Sequence, residues 1–318
     1  MGDSELVRKM YESLGEGCIT SPGVAHIEIH GNTVLGLHLV PGLVVEAEER
    51  EDGVRAMVRI EHGARIEKPV NMCFGLIPEK GVQRIEMDVE VGEDAAAAVV
   101  SSCTFPNAVD VLHEMQAVVR LGPGSEYSYL ERHVHSPGGG VKVVPRSFVD
   151  LGEGASFMAD FEMLRGRAGE LDIVYEAVCA ASSVLEMNAR ISGSGDDRIR
   201  IHEKATLSGE HSRGVLTTNI AVRDSAWADI RNTIRAEAAY ARGHVDCREI
   251  VRDGATARAV PVIEVTHPLA HVTHEAALGS VDSKQLETLM ARGLTEDEAT
   301  DMIIAGLLSP RYKAEVTR

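Results

Sequence analysis

V-G-E-D-A at residues 91–95, L-G-P-G-S at 121–125 and L-G-E-G-A at 151–155 place Gly92, Gly122 and Gly152 at one constant interval. Farther on, V-R-D-S-A at 222–226 and V-R-D-G-A at 251–255 recur at an interval shorter by one position. Strand–turn repeats of about 20 to 50 residues are the signature of a solenoid, whose coils stack and bury a ladder of side chains. Between residues 85 and 260 the chain reads almost entirely as short strands bounded by Gly, Asp and Ser turns. No helical segment of crossover length separates them, which excludes βαβ units. Alternating strands alone would also suit an antiparallel sandwich. The regular turn spacing and an aromatic content of 4% favour a mainly β fold, a right-handed parallel β-helix with a narrow aliphatic core. Two stretches depart from the spacing. S-G-S-G-D-D at 192–197 reads as a looser turn or a shift of sheet, and S-P-G-G-G at 136–140 as a mobile loop.

Outward from the repeat, the period changes. Leu6, Val7, Met10, Tyr11 and Leu14 share one helical face near the start, with Asp3 or Ser4 as cap and Gly15 and Gly17 as stop. Strands begin at His26. At the other end, Asp282 to Gln285 and Thr295 to Glu298 have capping-box spacing and open two short amphipathic helices. The organisation predicted is an N-terminal helical segment (1–24), a β-helix core (25–279) and a C-terminal helical domain (280–318).

A net charge of −17 argues against a nucleic-acid or anionic-membrane partner, because phosphate binding needs clustered Lys and Arg. No apolar run approaches the ~18 residues of a membrane span, and M-G-D-S-E-L-V-R-K-M lacks the apolar core of a signal peptide. A soluble, cytoplasmic protein is expected. The five cysteines (Cys18, Cys73, Cys103, Cys179, Cys247) are scattered and never form C-x-x-C, so neither a disulfide scaffold nor a self-contained zinc motif is expected. No G-x-x-x-x-G-K-[ST] loop occurs, so the chain is not itself an ATPase.

Potential ligands crowd together only between His244 and Ser280, where Cys247, Glu264, His267, His271, His274 and Glu275 lie. Thiolate, imidazole and carboxylate together suit iron or zinc. The separation of Cys247 and His274 in sequence is close to one coil, so a tight turn would bring them side by side. Strand alternation puts His267, His271 and Glu275 on one face and His274 on the other, unless Pro268 interrupts the register. A metal-dependent hydrolase using His267, His271 and His274 is one reading, although H-E-x-x-H spacing is lacking. A purely structural β-solenoid is another.

H-V-D-C-R-E-I-V followed by T-H-E-A-A-L-G-S, the terminal S-K-Q-L-E-T-L-M-A-R-G-L-T-E-D-E-A-T-D-M-I-I-A-G, and Y-S-Y-L-E-R agree in order and spacing with motifs of one family. Over roughly residues 70–310 the chain resembles the SufB/SufD family, β-helical scaffold subunits of the SUF iron–sulfur cluster assembly system. The resemblance is greater to SufB, in a minimal archaeal-type form. It implies that Cys247, His274 and Glu275 hold a transient iron–sulfur cluster ([2Fe–2S] or [4Fe–4S]), which the purified protein can lack. His267, His271 and Glu264 would then be outer groups. SufB carries a sulfur-accepting cysteine after Y-L-E-G, where this chain has His133. Sulfur or iron handling is therefore assigned to His133, Cys103 and Arg146, the last a loose match to a SufB lysine, and free sulfide is an alternative sulfur source. The family's C-terminal helices bind SufC, an ABC-type ATPase, which assigns docking to Leu286, Leu289, Met290, Met302 and Ile303. A homodimer meeting through the β-helix ends, a SufC-like partner and apo client or carrier proteins complete the implied assembly.

Overall fold

A computed structural model describes residues 3–14 and 23–310. Helix α1 (Asp3–Leu14) precedes β1 (His26–His30), β2 (Thr33–His38), β3 (Leu43–Arg50) and β4 (Gly53–Ile60). Then follow β5 (Val70–Gly75), β6 (Lys80–Val91), β7 (Ala96–Phe105), β8 (Asp110–Leu121), β9 (Glu126–His135), β10 (Val141–Leu151) and β11 (Ser156–Arg165). The second half holds β12 (Glu170–Cys179), β13 (Val184–Gly193), β14 (Arg198–Leu207), β15 (Arg213–Val222) and β16 (Trp227–Ala236). It ends with β17 (Arg242–Val251), β18 (Thr256–Val265), β19 (His271–Gly279), α2 (Ser283–Met290) and α3 (Glu296–Leu307).

From β4 onward successive strands alternate between two sheets. Odd strands stack β5 to β19 in one, even strands β4 to β18 in the other, and all these pairs are parallel. This is the parallel β-helix expected from the repeat. Coil length is read from the register. Tyr127 pairs with Phe157, Phe157 with Leu185 and Leu185 with Gly214, so successive coils are nearly but not quite equal in length. Alternation within each strand sends one face inward. In β6, Ile85, Met87, Val89 and Val91 are buried while Glu86 and Glu90 face solvent, so a period of two suffices to build the core.

The repeated turns form a ladder of their own. Asp94, Gly124, Gly154, Ser182, His211 and Tyr240 occupy the same corner with left-handed φ of 54–67°. Asp94 N–H donates to Pro123 O at 3.0 Å and Gly124 N–H to Glu153 O at 2.8 Å, so each turn is tied to the next coil. Gly122 and Gly152 recur because the stacked backbones touch there: a Cβ on Gly122 would lie 2.7 Å from Glu93 N, and one on Gly152 2.7 Å from Leu121 O.

The two stretches read as irregular are not. S-G-S-G-D-D keeps the coil spacing, and buried Asp197 accepts from Ala168 N, Gly169 N and Ser194 N at 2.9–3.0 Å. In S-P-G-G-G, Ser136 Oγ donates to Ala108 O and Gly139 O, which fixes the turn to the previous coil. Met10, Tyr11 and Leu14 of α1 pack with Cys73, Ile77 and Val134 as the spacing predicts. The proposed stop at Gly15 and Gly17, and Cys18, lie outside the described residues.

The C-terminal helices leave the end of the solenoid open. α3 lies along the outer face of the odd-strand sheet, where Arg190 donates to Leu308 O and Arg252 pairs with Asp297. Ala299 and Thr300 are its buried residues within the helix, and α2 has none. Thr295 and Glu298 form a reciprocal capping box, and Asp282 accepts from Gln285 N. The inward side of the last coil stays accessible, with Val265 and Leu278 each about half exposed.

Candidate functional site

Cys247 sits on β17, whose inward residues continue the core ladder. It is fully buried, paired in register with Thr218 below and Ala276 above. Asn232, from the opposite sheet, donates to Thr218 Oγ1 at 2.7 Å and approaches Cys247 Sγ at 3.8 Å. The thiol therefore points between the sheets. Burial, with Glu249, Glu203 and Asp246 nearby, pushes its pKa up to about 12, so it is a thiol at neutral pH.

The coil here is slightly longer than the separation of Cys247 and His274, and this changes the neighbours. His274 pairs with Val245, two positions before Cys247, and Glu275 pairs with Asp246. Val245 is in the core, so His274 shares the inward face with Cys247, although on the open last coil it is exposed. Asp246 bonds Arg248, whose guanidinium lies 3.9 Å from Glu275, which places Glu275 on the outer face. Within one chain the structure puts Cys247 and His274 on one side of the sheet and Glu275 on the other.

The remaining candidates are dispersed. His267 lies in the turn before β19, its Nδ1 accepting from Leu269 N at 3.2 Å. His271 is exposed in register with Arg242, and Glu264 is exposed 3.9 Å from Arg235. His271 and His274 project to opposite faces of β19, so the three histidines of the hydrolase reading do not converge. Arg146 lies on the outer face of the even-strand sheet, paired with Asp172 at 3.0 Å, apart from Cys103 and His133. Among the docking candidates, Leu286, Leu289 and Ile303 are half-buried, and Met290 and Met302 are exposed.

Cys103 and His133 are brought together, as register partners on β7 and β9. A residue not singled out in the sequence joins them from the other sheet: His113 of β8. The ligand atoms of Cys103, His113 and His133 all lie within 4.8 Å of one another, and all three side chains are buried. His133 Nε2 contacts Glu131 Oε1 at 2.8 Å, and the Tyr175 hydroxyl donates to Glu131 Oε2 at 3.0 Å. His133 Nδ1 faces His135 Nε2 at 3.1 Å, and His135 Nδ1 donates to Arg167 O at 3.0 Å. Phe105 and Phe161 wall the cluster. Burial, then the adjoining imidazoles, hold His113 well below the ordinary histidine range. Burial, with His133, brings His135 down to about 3. Burial and the Glu131 charge raise the Cys103 thiol well above its usual value. The signal for His113 was available as an inward position in an alternating strand, V-L-H-E-M, where a polar side chain replaces an aliphatic one.

A row of inward polar groups runs from this cluster toward Cys247. Tyr175, Glu203 and Asn232 are successive register partners on β12, β14 and β16. Tyr175 reaches Glu131 at one end of the row, and Asn232 reaches Cys247 at the other.

Residues 78–307 match the family described as SUF system FeS cluster assembly, SufBD core domain. The chain is 35% identical to an iron–sulfur cluster assembly SufBD family protein of Pyrococcus horikoshii, over 90% of this chain and 87% of that one. It is 33% identical to a SufBD family protein of Methanocaldococcus jannaschii, over 84% of each chain. To the iron–sulfur cluster assembly protein SufB of Bacillus subtilis it is 22% identical, over 81% of this chain and 56% of that one.

Proposed function

This chain belongs to the SufBD family of iron–sulfur cluster assembly proteins, and from that membership we propose that it is the scaffold on which a nascent cluster is built, at Cys247, in a homodimer served by an ABC-type ATPase. The observation that carries this reading is the position of Cys247. Its thiol lies one coil inside the open end of the β-helix, on the same inward face as His274. Cysteine thiolates are the usual ligands of iron–sulfur clusters and histidine can replace some of them.

A metal ion displaces the Cys247 proton on coordination, which the buried thiol otherwise retains. Glu275, on the outer face, serves as a ligand only where a partner copy or a rearranged last coil turns it toward the cluster. The open end supplies the surface for that partner: β18 and β19 are edge strands, and their inward residues are accessible. The interior row from His133 through Glu131, Tyr175, Glu203 and Asn232 is the route by which sulfide or iron would reach Cys247. The exposed Met290 and Met302, with half-buried Leu286, Leu289 and Ile303, form the ATPase-docking face.

Anaerobic reconstitution with iron, sulfide and thiol tests the site. The parent should gain the absorption of a cluster, Cys247→Ala should lose it, and the parent should run as a dimer in solution. The same cluster spectrum on Cys247→Ala would refute the assignment. Deleting residues 282–318 should abolish co-purification with the ATPase, and unchanged co-purification would refute docking there.

A further inference from the structure

The interior cluster around His113 stands apart from Cys247. From β9 to β17 there are four strand spacings along the odd-strand sheet, about 19 Å at about 4.8 Å each. Its donors are buried to within 1% of complete, which is unusual for three metal-ligating side chains placed together. Neither ring nitrogen of His113 has a hydrogen-bond partner in the protein. A buried imidazole without a partner is destabilising unless something accepts its lone pair.

The hydrogen bonds around His133 point the same way. The Arg167 carbonyl fixes the proton of His135 on Nδ1, so Nε2 of that neutral ring is a bare lone pair. Glu131 Oε1 lies 2.8 Å from His133 Nε2 and engages that nitrogen. Nδ1 of His133, 3.1 Å from His135 Nε2, is the ring nitrogen left to face a metal. Carboxylate, imidazole and metal in sequence is the usual way in which an outer carboxylate orients a ligating histidine.

We propose that Cys103, His113 and His133 bind one borderline divalent first-row metal ion inside the β-helix, at a site distinct from Cys247. One sulfur and two nitrogens suit Zn²⁺ or Fe²⁺ rather than Mg²⁺ or Ca²⁺, which prefer oxygen. Cys103 binds as the thiolate, its proton leaving as the metal enters. The ion joins β7 and β9 of one sheet to β8 of the other. The assignment rests on this geometry and does not depend on cluster building at Cys247.

The test uses full-length Cys247→Ala protein, stripped with chelator and supplied with metal both when folded and during refolding. Elemental analysis of the protein as purified distinguishes zinc from iron. Co²⁺ serves as the optical probe. One Co²⁺ per chain should bind, with a thiolate-to-cobalt charge-transfer band that Cys103→Ser removes. His113→Leu should weaken Zn²⁺ binding by more than about 100-fold, since even outer partners of a ligand account for 10–100-fold. The same variant fills the position with an apolar side chain. Its apo form should therefore melt no lower than the apo parent, while losing the rise in melting temperature that metal gives the parent. Three results would overturn the proposal: no stoichiometric binding of Zn²⁺, Fe²⁺ or Co²⁺, a bound Co²⁺ without the thiolate band, or unchanged Zn²⁺ affinity in His113→Leu.

Discussion

Glu203 offers a measurement of what the polar interior costs. It lies on β14, pointing inward between its register partners Tyr175 and Asn232, 3% exposed, and its Oε2 has no partner in the protein. Burial raises its pKa from 4.5 to about 8. A carboxyl group whose folded pKa is raised binds its proton more tightly in the native state than in the unfolded chain. Stability is then highest below the unfolded value and falls as pH rises through the window from about 4.5 to about 8. At about 1.4 kcal/mol per pH unit the full loss is roughly 5 kcal/mol, of which about 4 kcal/mol falls between about pH 5 and about pH 9. Glu203→Gln keeps the shape and removes the titration. Urea unfolding of parent and variant across this range should give stability curves that diverge by that amount, with the variant the more stable at high pH. Because every other carboxyl group is common to both proteins, their contributions cancel in the difference. Parallel curves would mean that Glu203 is solvated or paired, and the reasoning would fail.

Asp197→Ala should lower stability by at least about 3 kcal/mol, since it strands three backbone N–H groups at about 1–3 kcal/mol each, while Arg167 keeps its pair with Asp196; a shift in urea midpoint with unchanged slope would show it. Arg190→Leu should cost about 3–5 kcal/mol by breaking a buried ion pair with Asp160 and Glu162. It should also release α3, whose Leu308 carbonyl the guanidinium holds. Hydrogen exchange in 296–308 should accelerate far more than in the β-helix, and uniform acceleration would contradict this local role.

The solenoid was legible because its signals are local. A glycine recurring once per coil, as at Gly92, Gly122 and Gly152, marks a corner where backbones touch, and alternation within each strand marks the inward face. The apparent breaks at 136–140 and 192–197 misled because side-chain bonds to the previous coil, from Ser136 and to Asp197, are long-range facts that turn composition does not carry. The site was legible in part. Resemblance pointed to Cys247, His274 and Glu275 as candidates, yet faces depend on register. A coil slightly longer than the Cys247 to His274 separation puts Ala276 beside Cys247, and alternation sends Glu275 outward. The sequence shows His113 only as a polar side chain at an inward position of an alternating strand, and the facing sheet is what brings it to Cys103 and His133.

On the proposed function, the burial of Cys247 leaves two ways for iron or sulfide to reach it, the interior row from His133 and an opening of the last coil. A thiol with no exposed surface cannot meet iron or sulfide from solvent while the last coil stays closed over it. That coil has little holding it: β18 and β19 pair on one side only, their inward residues are accessible, and α2 and α3 do not cover them. Local stability is lowest where apolar contacts are fewest, so this coil opens at a smaller cost than any coil within the stack. Arg252 of the turn after β17 pairs with Asp297 of α3, and Arg223 of the turn after β15 lies 4.0 Å from Asp301. These ion pairs join α3 to the corner that follows the Cys247 strand and to the corner one coil below it. On the proposed function, ATPase docking and access to the thiol are linked through these ion pairs. On the same proposal, Glu275 would come within reach of the cluster in the movement that exposes Cys247.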